Sequence, residues 1–269
     1  MHPSLHLPRA SARGKTPHGP GGRDPFNKAP STLEMYVFMY VPASTDTNLV
    51  IYSSNNVRKK HCAKMGGRID CYLDIGYVDL RQNMSKLAAH GVQVNFIPVF
   101  LGGIMQTSGN RPPWVLKAKG KYLARDSFRA AERLGVPYQG SPPDIVAIAK
   151  TVSPLRALHF IKENYPEATY LAAIRFLFHR IWLPPHVNLA EDEKLIAALK
   201  EATDELDGGS GKKLFSDEDV EKIMNGRESM KERVKDLTGE AVQKGAFGAP
   251  WLIVTRDDGK SEAFFGSDR

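Results

Sequence analysis

The order of hydrophobic and polar positions predicts a β-α-β unit in the first patterned part of the chain. Residues 69–74 alternate between apolar and polar side chains, which is typical of a half-buried strand, here ending at Asp74. Residues 84–90 have helical spacing and are followed by Gly91, a residue type that favours the left-handed cap of a helix. Residues 92–96 alternate again. The intervening segment is long enough for a crossover helix, so we expect the two strands to be parallel.

A β-hairpin is predicted near the C-terminus. Pro250 precedes the apolar run of residues 251–254, and proline is tolerated at the first position of a strand but not in its middle. The run is followed by Asp-Asp-Gly at residues 257–259, a turn signal, and residues 263–265 are apolar again. We therefore expect two antiparallel strands that are entered through a loop containing proline.

The long middle of the chain has the spacing of helices. Residues 119–134 and several later segments carry apolar side chains at intervals of three and four. Asn188 is predicted to cap one of these helices, and Ser216 with Asp219 predicts a capping box at the start of another. Residues 101–113 contain a Gly-Gly pair and end in Pro-Pro, and they are predicted to form a loop.

Together these elements predict an α/β protein with a thioredoxin-like fold interrupted by an all-helical insertion domain. We expect the thioredoxin-like domain to be split between residues 65–126 and residues 244–269. The helical insertion domain is expected to occupy residues 127–243.

The net charge of +7 is concentrated in a basic extension at residues 1–64. This extension carries nine basic and three acidic residues, whereas residues 65–269 carry 28 basic and 27 acidic residues. The folded part has no overall charge excess of the kind that nucleic-acid binding requires, so we expect no nucleic-acid partner. Residues 2–31 are rich in Pro, Gly and Arg, which predicts a disordered tail. The alternatives are a targeting segment and a natural start of translation at Met65.

Composition indicates a globular protein in a reducing compartment. The 269 residues are 42% hydrophobic and 25% charged, and no apolar run reaches the roughly 20 residues that span a bilayer. Cys62 and Cys71 are the only cysteines and do not form a Cys-x-x-Cys pair. This excludes a disulfide framework, a cysteine-rich zinc site and a dithiol redox centre. His159 and His179 lie in or beside apolar stripes, where packing is the usual role of histidine. We therefore expect no metal and no membrane partner.

Three separated motifs resemble those of one enzyme family. They are Phe-Leu-Gly-Gly-Ile-Met at residues 100–105 with Ser-Gly-Asn-Arg-Pro-Pro at 108–113, Gly-Ala-Phe-Gly-Ala-Pro at 245–250, and Phe-Gly-Ser-Asp-Arg at 265–269. In this order they resemble the kappa-class glutathione transferases, a DsbA-like group to which the bacterial 2-hydroxychromene-2-carboxylate isomerases also belong. The resemblance covers residues 65–269 and implies that glutathione is the co-substrate.

The resemblance also implies a set of glutathione-binding residues. The backbone of Ala249, which precedes a cis Pro250 in this family, would pair with the cysteinyl part of the tripeptide as an added strand does. Asp268 would pair with the α-ammonium of the γ-glutamyl group, and Ser267 would help to bind its carboxylate. Asn110 would contact glutathione from the Ser-Gly-Asn loop.

One departure from the family pattern leaves the catalytic residue unassigned. The family has a serine just after the first strand, where its hydroxyl stabilises the glutathione thiolate, but this chain has no serine between Asp74 and Ser85. The hydroxyl of Tyr77 is a candidate substitute. Lys117 and Lys119 lie where a cation would meet the glycyl carboxylate, and ordinary solvated lysines are the alternative.

The functional expectation is a kappa-like glutathione transferase that promotes attack of the glutathione sulfur on a small hydrophobic electrophile or a peroxide. The alternatives are a glutathione-dependent cis-trans isomerase of the 2-hydroxychromene-2-carboxylate type and a catalytically silent glutathione-binding relative. The family tends to dimerise, so the resemblance implies a homodimer. We expect an intracellular location, mitochondrial or peroxisomal, with the cytoplasm as a further alternative.

Overall fold

The structure is a computed structural model that describes residues 67–72 and 76–266. The expectations for the basic extension at residues 1–64 lie outside the described residues, as do those for Ser267 and Asp268.

In the described part of the chain, four strands form one mixed sheet in the order β2-β1-β3-β4. The strands are β1 (Gly67–Tyr72), β2 (Val92–Ile97), β3 (Trp251–Arg256) and β4 (Ser261–Phe265). β1 and β2 are parallel, and β3 is antiparallel to both β1 and β4. The predicted β-α-β unit and C-terminal hairpin are therefore confirmed, and they meet in one sheet of thioredoxin-like topology.

Helices join the two parallel strands and fill the chain between β2 and β3. The described helices are α1 (Gly76–Ala89), α2 (Leu101–Ser108), α3 (Lys117–Arg133), α4 (Ile145–Ile148), α5 (Val152–Asn164), α6 (Glu167–Trp182), α7 (Asp192–Glu201), α8 (Asp217–Gly226) and α9 (Lys231–Gln243). Single 3₁₀ turns lie at Pro113–Val115, Glu205–Asp207 and Arg227–Met230.

Helix α1 begins well before the predicted start at residue 84. Its first turns bury Tyr77 and Leu80 in the core. Asp79 is also buried, and its carboxylate accepts a hydrogen bond of 2.9 Å from the guanidinium of Arg133. The polar run at residues 81–83 interrupts the apolar spacing, which is why the pattern predicted only the second half of the helix.

Residues 101–108 form helix α2, so the prediction of a loop there was wrong. Phe100 and Gly102 explain the difference: a Cβ atom on Gly102 would lie 2.8 Å from Cζ of the Phe100 ring, so the glycine lets the ring lie against the helix. Ile104 is fully buried, and Gly109 ends the helix in the left-handed conformation with a φ of 73°. A Gly-Gly pair signals a loop in isolation, but here tertiary packing overrides the low helix propensity of glycine.

The strand register gives the sheet two apolar faces. Val94 and Phe96 of β2 belong to the larger core, against which the helices of the middle of the chain pack. Ile97 of β2 and Ile253 of β3 contribute to a smaller cluster on the opposite face, and this cluster includes Ile104 of α2. Burial on both faces fixes the register, since a shift of one residue would exchange the two sets of side chains.

The larger core is shared between the sheet and the helical segment. It joins Tyr77 of α1 and Phe96 of β2 to Leu171 and Ile174 of α6 in one cluster of buried side chains. The boundary expected between residues 126 and 127 falls within α3, which is continuous from Lys117 to Arg133. The division into a split domain and an inserted domain therefore remains a proposal.

One of the two capping predictions is confirmed. The Ser216 hydroxyl accepts a hydrogen bond of 3.1 Å from the backbone N–H of Asp219, and the Asp219 carboxylate accepts one of 3.0 Å from the backbone N–H of Ser216. Asn188 does not cap a helix, because α7 begins only at Asp192. Its side-chain oxygen instead accepts from the N–H of Ala190 at 3.2 Å, which closes a local turn.

The outer edge of β2 is covered by side chains from two helices. The carbonyl of Phe96 accepts hydrogen bonds from the Tyr170 hydroxyl at 3.0 Å and from Nζ of Lys162 at 2.5 Å. Nζ of Lys162 also donates to the side-chain oxygen of Asn95 at 2.7 Å, and it lies 5.3 Å from the centre of the Tyr170 ring. These contacts dock α5 and α6 against the strand.

His159 joins α5 to the end of β2 in its neutral form. Its side chain is 2% exposed, and Nε2–H donates to the carbonyl of Pro98 at 2.8 Å. Burial lowers the pKa of His159 from its ordinary 6.5 to about 4, because the charged imidazolium would lose its hydration.

We predict that protonation of His159 destabilises the fold in mild acid. The unfolded chain binds the proton near pH 6.5 and the folded chain only near pH 4, so the free energy of unfolding falls by about 3 kcal/mol across this range. Denaturant unfolding as a function of pH measures this loss. The His159→Gln variant should lose this part of the pH dependence, whereas the exposed His90→Gln variant should retain it. An unchanged pH profile in the His159 variant would contradict the assignment.

Candidate functional site

The candidate site begins where helix α9 ends and the chain turns toward β3. Gly245 adopts a φ of 91°, in the region that favours glycine. Its N–H donates to the carbonyl of Val242, and the N–H of Ala246 donates to that of Ala241, each at 2.9 Å. This pair of bonds is a Schellman motif. It ends the helix sharply and directs residues 246–250 across the end of the sheet.

The Ala249–Pro250 peptide bond in this loop is cis. Ala249 is half-buried, and its backbone N–H and C=O form no hydrogen bond to any residue in the described part of the chain. The carbonyl of Pro250 accepts from the N–H of Gly266 at 3.1 Å. The segment just before β3 and the segment just after β4 therefore lie side by side.

Asn110 ties a second loop to this segment. Its side-chain Nδ2 donates to the carbonyl of Phe247 at 2.7 Å, and its Oδ1 accepts from the N–H of Arg111 at 2.8 Å. The residue is exposed. An amide group has two donor hydrogens and two acceptor lone pairs, so one of each remains for a ligand. Asn110 thus positions the loop after α2 beside the loop before β3.

Three aromatic rings pack together at the loop before β3, and one of them belongs to the loop itself. The ring centres of Phe247 and Phe265 are 4.5 Å apart, and Trp251 lies 5.5 Å from Phe247. A Cβ atom on Gly248 would lie 2.8 Å from Cε2 of Phe265, so the glycine permits this close approach. The indole N–H of Trp251 is buried and has no hydrogen-bond partner among the described residues. Sequence reasoning noted these aromatics without predicting that they cluster.

The remaining binding residues predicted from the sequence are less closely connected to this loop. Lys117 and Lys119 lie in the first turn of α3, where both are exposed and neither forms an ion pair within the described residues. Ser267 and Asp268 directly follow Gly266, which is hydrogen-bonded to Pro250. Their own positions are outside the described residues.

Tyr77 is not available to activate a thiol, so the hypothesis that it replaces the family serine was wrong. The residue is fully buried, and its hydroxyl donates to the carbonyl of Leu171 at 2.7 Å. Burial is the main cause that raises the pKa of the Tyr77 phenol, and the nearby Asp207 carboxylate acts in the same direction. Its role is to hold α1 against α6.

Neither a metal site nor a membrane span is found in the part of the chain that the structure describes. No group of three or more His, Cys, Asp or Glu side chains there is arranged to hold a metal ion. None of the described helices is both long enough and apolar enough to cross a bilayer. His179, like His159, has a pKa lowered chiefly by burial.

Comparison with known proteins agrees with this geometry. A family model of DsbA-like thioredoxin domains matches residues 78–269, so the chain has a DsbA-like thioredoxin domain. A solved structure of 2-hydroxychromene-2-carboxylate isomerase superposes with a TM-score of 0.54 at 22% sequence identity, covering 75% of this chain and 90% of that one. At that identity the likeness shows the fold alone.

Two curated relatives define the family more narrowly. Glutathione S-transferase kappa 1 of Caenorhabditis elegans is 31% identical over 210 residues, which is 75% of this chain and 87% of the relative. Glutathione S-transferase kappa 1 of Homo sapiens is 30% identical over 181 residues, which is 66% of this chain and 74% of the relative. The chain therefore belongs to the kappa-class glutathione S-transferase family.

We predict that the same substitution has opposite effects at two glycines. Gly248→Ala should lower the free energy of unfolding by about 1 kcal/mol, because the added methyl pushes the Phe265 ring away from Phe247. Gly239→Ala in α9 should raise it by about 0.5–1 kcal/mol, because no atom lies within 4 Å of the new methyl and alanine favours the helix. Denaturant unfolding of both variants measures the two shifts. Equal shifts would contradict the close packing at Gly248.

Proposed function

We propose that this protein is a glutathione transferase in which the backbone of Ala249 binds the cysteinyl part of glutathione. The observation that carries the proposal is the half-buried Ala249 peptide beside Pro250, whose N–H and C=O are not hydrogen-bonded within the described residues. A peptide ligand that lies along such a backbone can form the pair of hydrogen bonds that an added strand forms. The kappa-class relatives are named for a reaction of glutathione, which makes this tripeptide the first ligand to test.

The neighbouring residues fit the other parts of glutathione. Asn110 retains one donor and one acceptor at the edge of the loop, and Lys117 and Lys119 are exposed cations that suit the glycyl carboxylate. The motif resemblance assigns Ser267 and Asp268, which follow Gly266 in the sequence, to the γ-glutamyl group, and Gly266 itself donates a hydrogen bond to the Pro250 carbonyl. These assignments apply the motif resemblance to individual residues of this chain.

The proposed reaction is nucleophilic attack by the glutathione thiolate on a small hydrophobic electrophile. With an aryl halide, a carbon–sulfur bond forms, the carbon–halogen bond breaks, and halide leaves with the bonding electrons. The protein would assist by favouring the thiolate, since nearby positive charge and hydrogen-bond donors lower the pKa of a thiol. A peroxide is the alternative electrophile. No residue is assigned the catalytic role, because Tyr77 is buried and already bonded.

The burial of Tyr77 also favours a second candidate, a catalytically silent protein that binds glutathione. In such a protein the backbone site would remain while thiolate formation would lack a donor. A glutathione-dependent isomerase is the further alternative within the family. We also propose that the protein forms a homodimer and acts in a reducing compartment, mitochondrial or peroxisomal, as the family resemblance implies.

We predict that glutathione binds the wild-type chain and that Asn110→Asp weakens binding about tenfold, or about 1.4 kcal/mol. The substitution removes the donor to the Phe247 carbonyl and places a negative charge beside that oxygen. Isothermal titration calorimetry measures the affinity. Asn164→Asp is the matched control, because Nδ2 of Asn164 also donates to a backbone carbonyl, at 2.9 Å, on another exposed surface. The site assignment fails if both variants bind equally, and the proposed function fails if folded wild type releases no heat.

Turnover assays should separate the three candidate functions. Conjugation of glutathione to an aryl halide, at a rate above the uncatalysed reaction, supports the transferase. Isomerisation of a 2-hydroxychromene-2-carboxylate without conjugation supports the isomerase. Retention on immobilised glutathione with neither activity supports the silent binder and contradicts the proposed transferase.

A further inference from the structure

A basic surface lies on α3 and the segment before it, at residues 111–133. This basic surface carries seven Lys or Arg residues and two acidic residues, a net charge of +5, whereas residues 65–269 as a whole have a net charge of +1. Four of its cations lie four residues apart along the helix, which places them on one side: Lys117, Lys121, Arg125 and Arg129. All four are exposed.

Most cations of the basic surface form no ion pair within the described part of the chain. Arg133 pairs with Asp79 at 2.9 Å, but none of the other six forms an ion pair with a described residue. Some exposed cations on other helices do form ion pairs; for example, Nζ of Lys200 lies 3.0 Å from the Asp217 carboxylate. Like charges four residues apart destabilise a helix by a few tenths of a kcal/mol per pair. The arrangement therefore costs stability in the free protein, and an anionic partner would remove that cost.

Large apolar side chains are exposed beside these cations. Trp114, Val115 and Leu116 are 43%, 60% and 57% exposed, and Tyr122 is 56% exposed. The 3₁₀ turn at Pro113–Val115 presents the first two. Gly120 allows α3 to pack closely against this 3₁₀ turn, because a Cβ atom on Gly120 would lie 3.3 Å from Cα of Trp114. Four large apolar side chains are thus held on the surface next to a row of cations.

We propose that the basic surface docks on an anionic lipid membrane, with Lys121, Arg125 and Arg129 at the headgroups and Trp114, Val115 and Leu116 inserted at the interface. Basic side chains flanking exposed aromatic and aliphatic ones are the composition of helices that bind at this depth. A second copy of the chain fits less well, because a twofold contact would place one surface of charge +5 against another. A nucleic acid would attract the cations but would leave Val115 and Leu116 without an apolar partner.

Binding of the full-length chain to vesicles tests this proposal. We expect the protein to sediment with vesicles of equal parts phosphatidylserine and phosphatidylcholine, to bind less as salt increases, and not to bind vesicles of phosphatidylcholine alone. Replacing Lys121, Arg125 and Arg129 with glutamine should weaken binding about a hundredfold, at about fivefold (about 1 kcal/mol) for each of the three charges removed. The same variant should unfold at an equal or higher temperature, because the repulsion along α3 is relieved.

Two controls separate this surface from the basic extension at residues 1–64. Replacing Lys150, Lys222 and Lys231 with glutamine changes the net charge equally at exposed positions elsewhere, and we expect nearly full binding. Bromine-labelled acyl chains should quench the fluorescence of the wild type but not that of Trp114→Phe. Equal weakening by the two triple variants, or no quenching that depends on Trp114, would overturn the proposal. So would self-association that Leu116→Ser abolishes, because a second copy would then occupy the surface.

Discussion

The fold depends on the pairing of β3 with β1. Helices α2 to α9 lie between β2 and β3 along the chain, so this pairing joins segments that are far apart in the sequence. β3 is an inner strand, paired with β1 on one side and β4 on the other, and it contributes apolar side chains to both faces of the sheet. Leu252 and Val254 pack toward the larger core, whereas Trp251 and Ile253 belong to the smaller cluster. Because side chains alternate between the two faces along β3, this one strand packs against the helices on both sides of the sheet. Its register also fixes the position of the loop that precedes it.

The candidate site follows from this placement because it consists of the segments that enter and leave β3 and β4. Three contacts fix the backbone of residues 245–250. They are the Schellman motif at Gly245, the contact of Gly248 with Phe265, and the hydrogen bond from the N–H of Gly266 to the carbonyl of Pro250. Asn110 adds the loop after α2. A binding backbone that is anchored from three directions loses little entropy when a ligand arrives, which is the physical basis of preorganised recognition.

The sequence predicted the strands, their order along the chain and the capping box at Ser216, because alternation, turn residues and caps act over short distances. It misassigned α2, where glycines that usually mark a loop serve close packing against Phe100. Tyr77 was misread for a similar reason. Its hydroxyl is bonded to Leu171, which is distant along the chain and adjacent only in the folded core. The aromatic cluster of Phe247, Trp251 and Phe265 likewise depends on strand pairing that periodicity does not specify. The basic surface was not predicted, because the sequence analysis summed the charges of residues 65–269, in which basic and acidic residues nearly balance.

The two edges of the described sheet differ in how they can meet another polypeptide. Along β2, Lys162 and Tyr170 occupy the Phe96 carbonyl, so an approaching strand would have to displace a charged group and a phenol before it could pair there. β4 is the opposite edge, and Ser261 and Ala263 on it are exposed. Within the described sheet, side chains therefore protect the β2 edge against pairing with another strand, whereas β4 is the less protected edge.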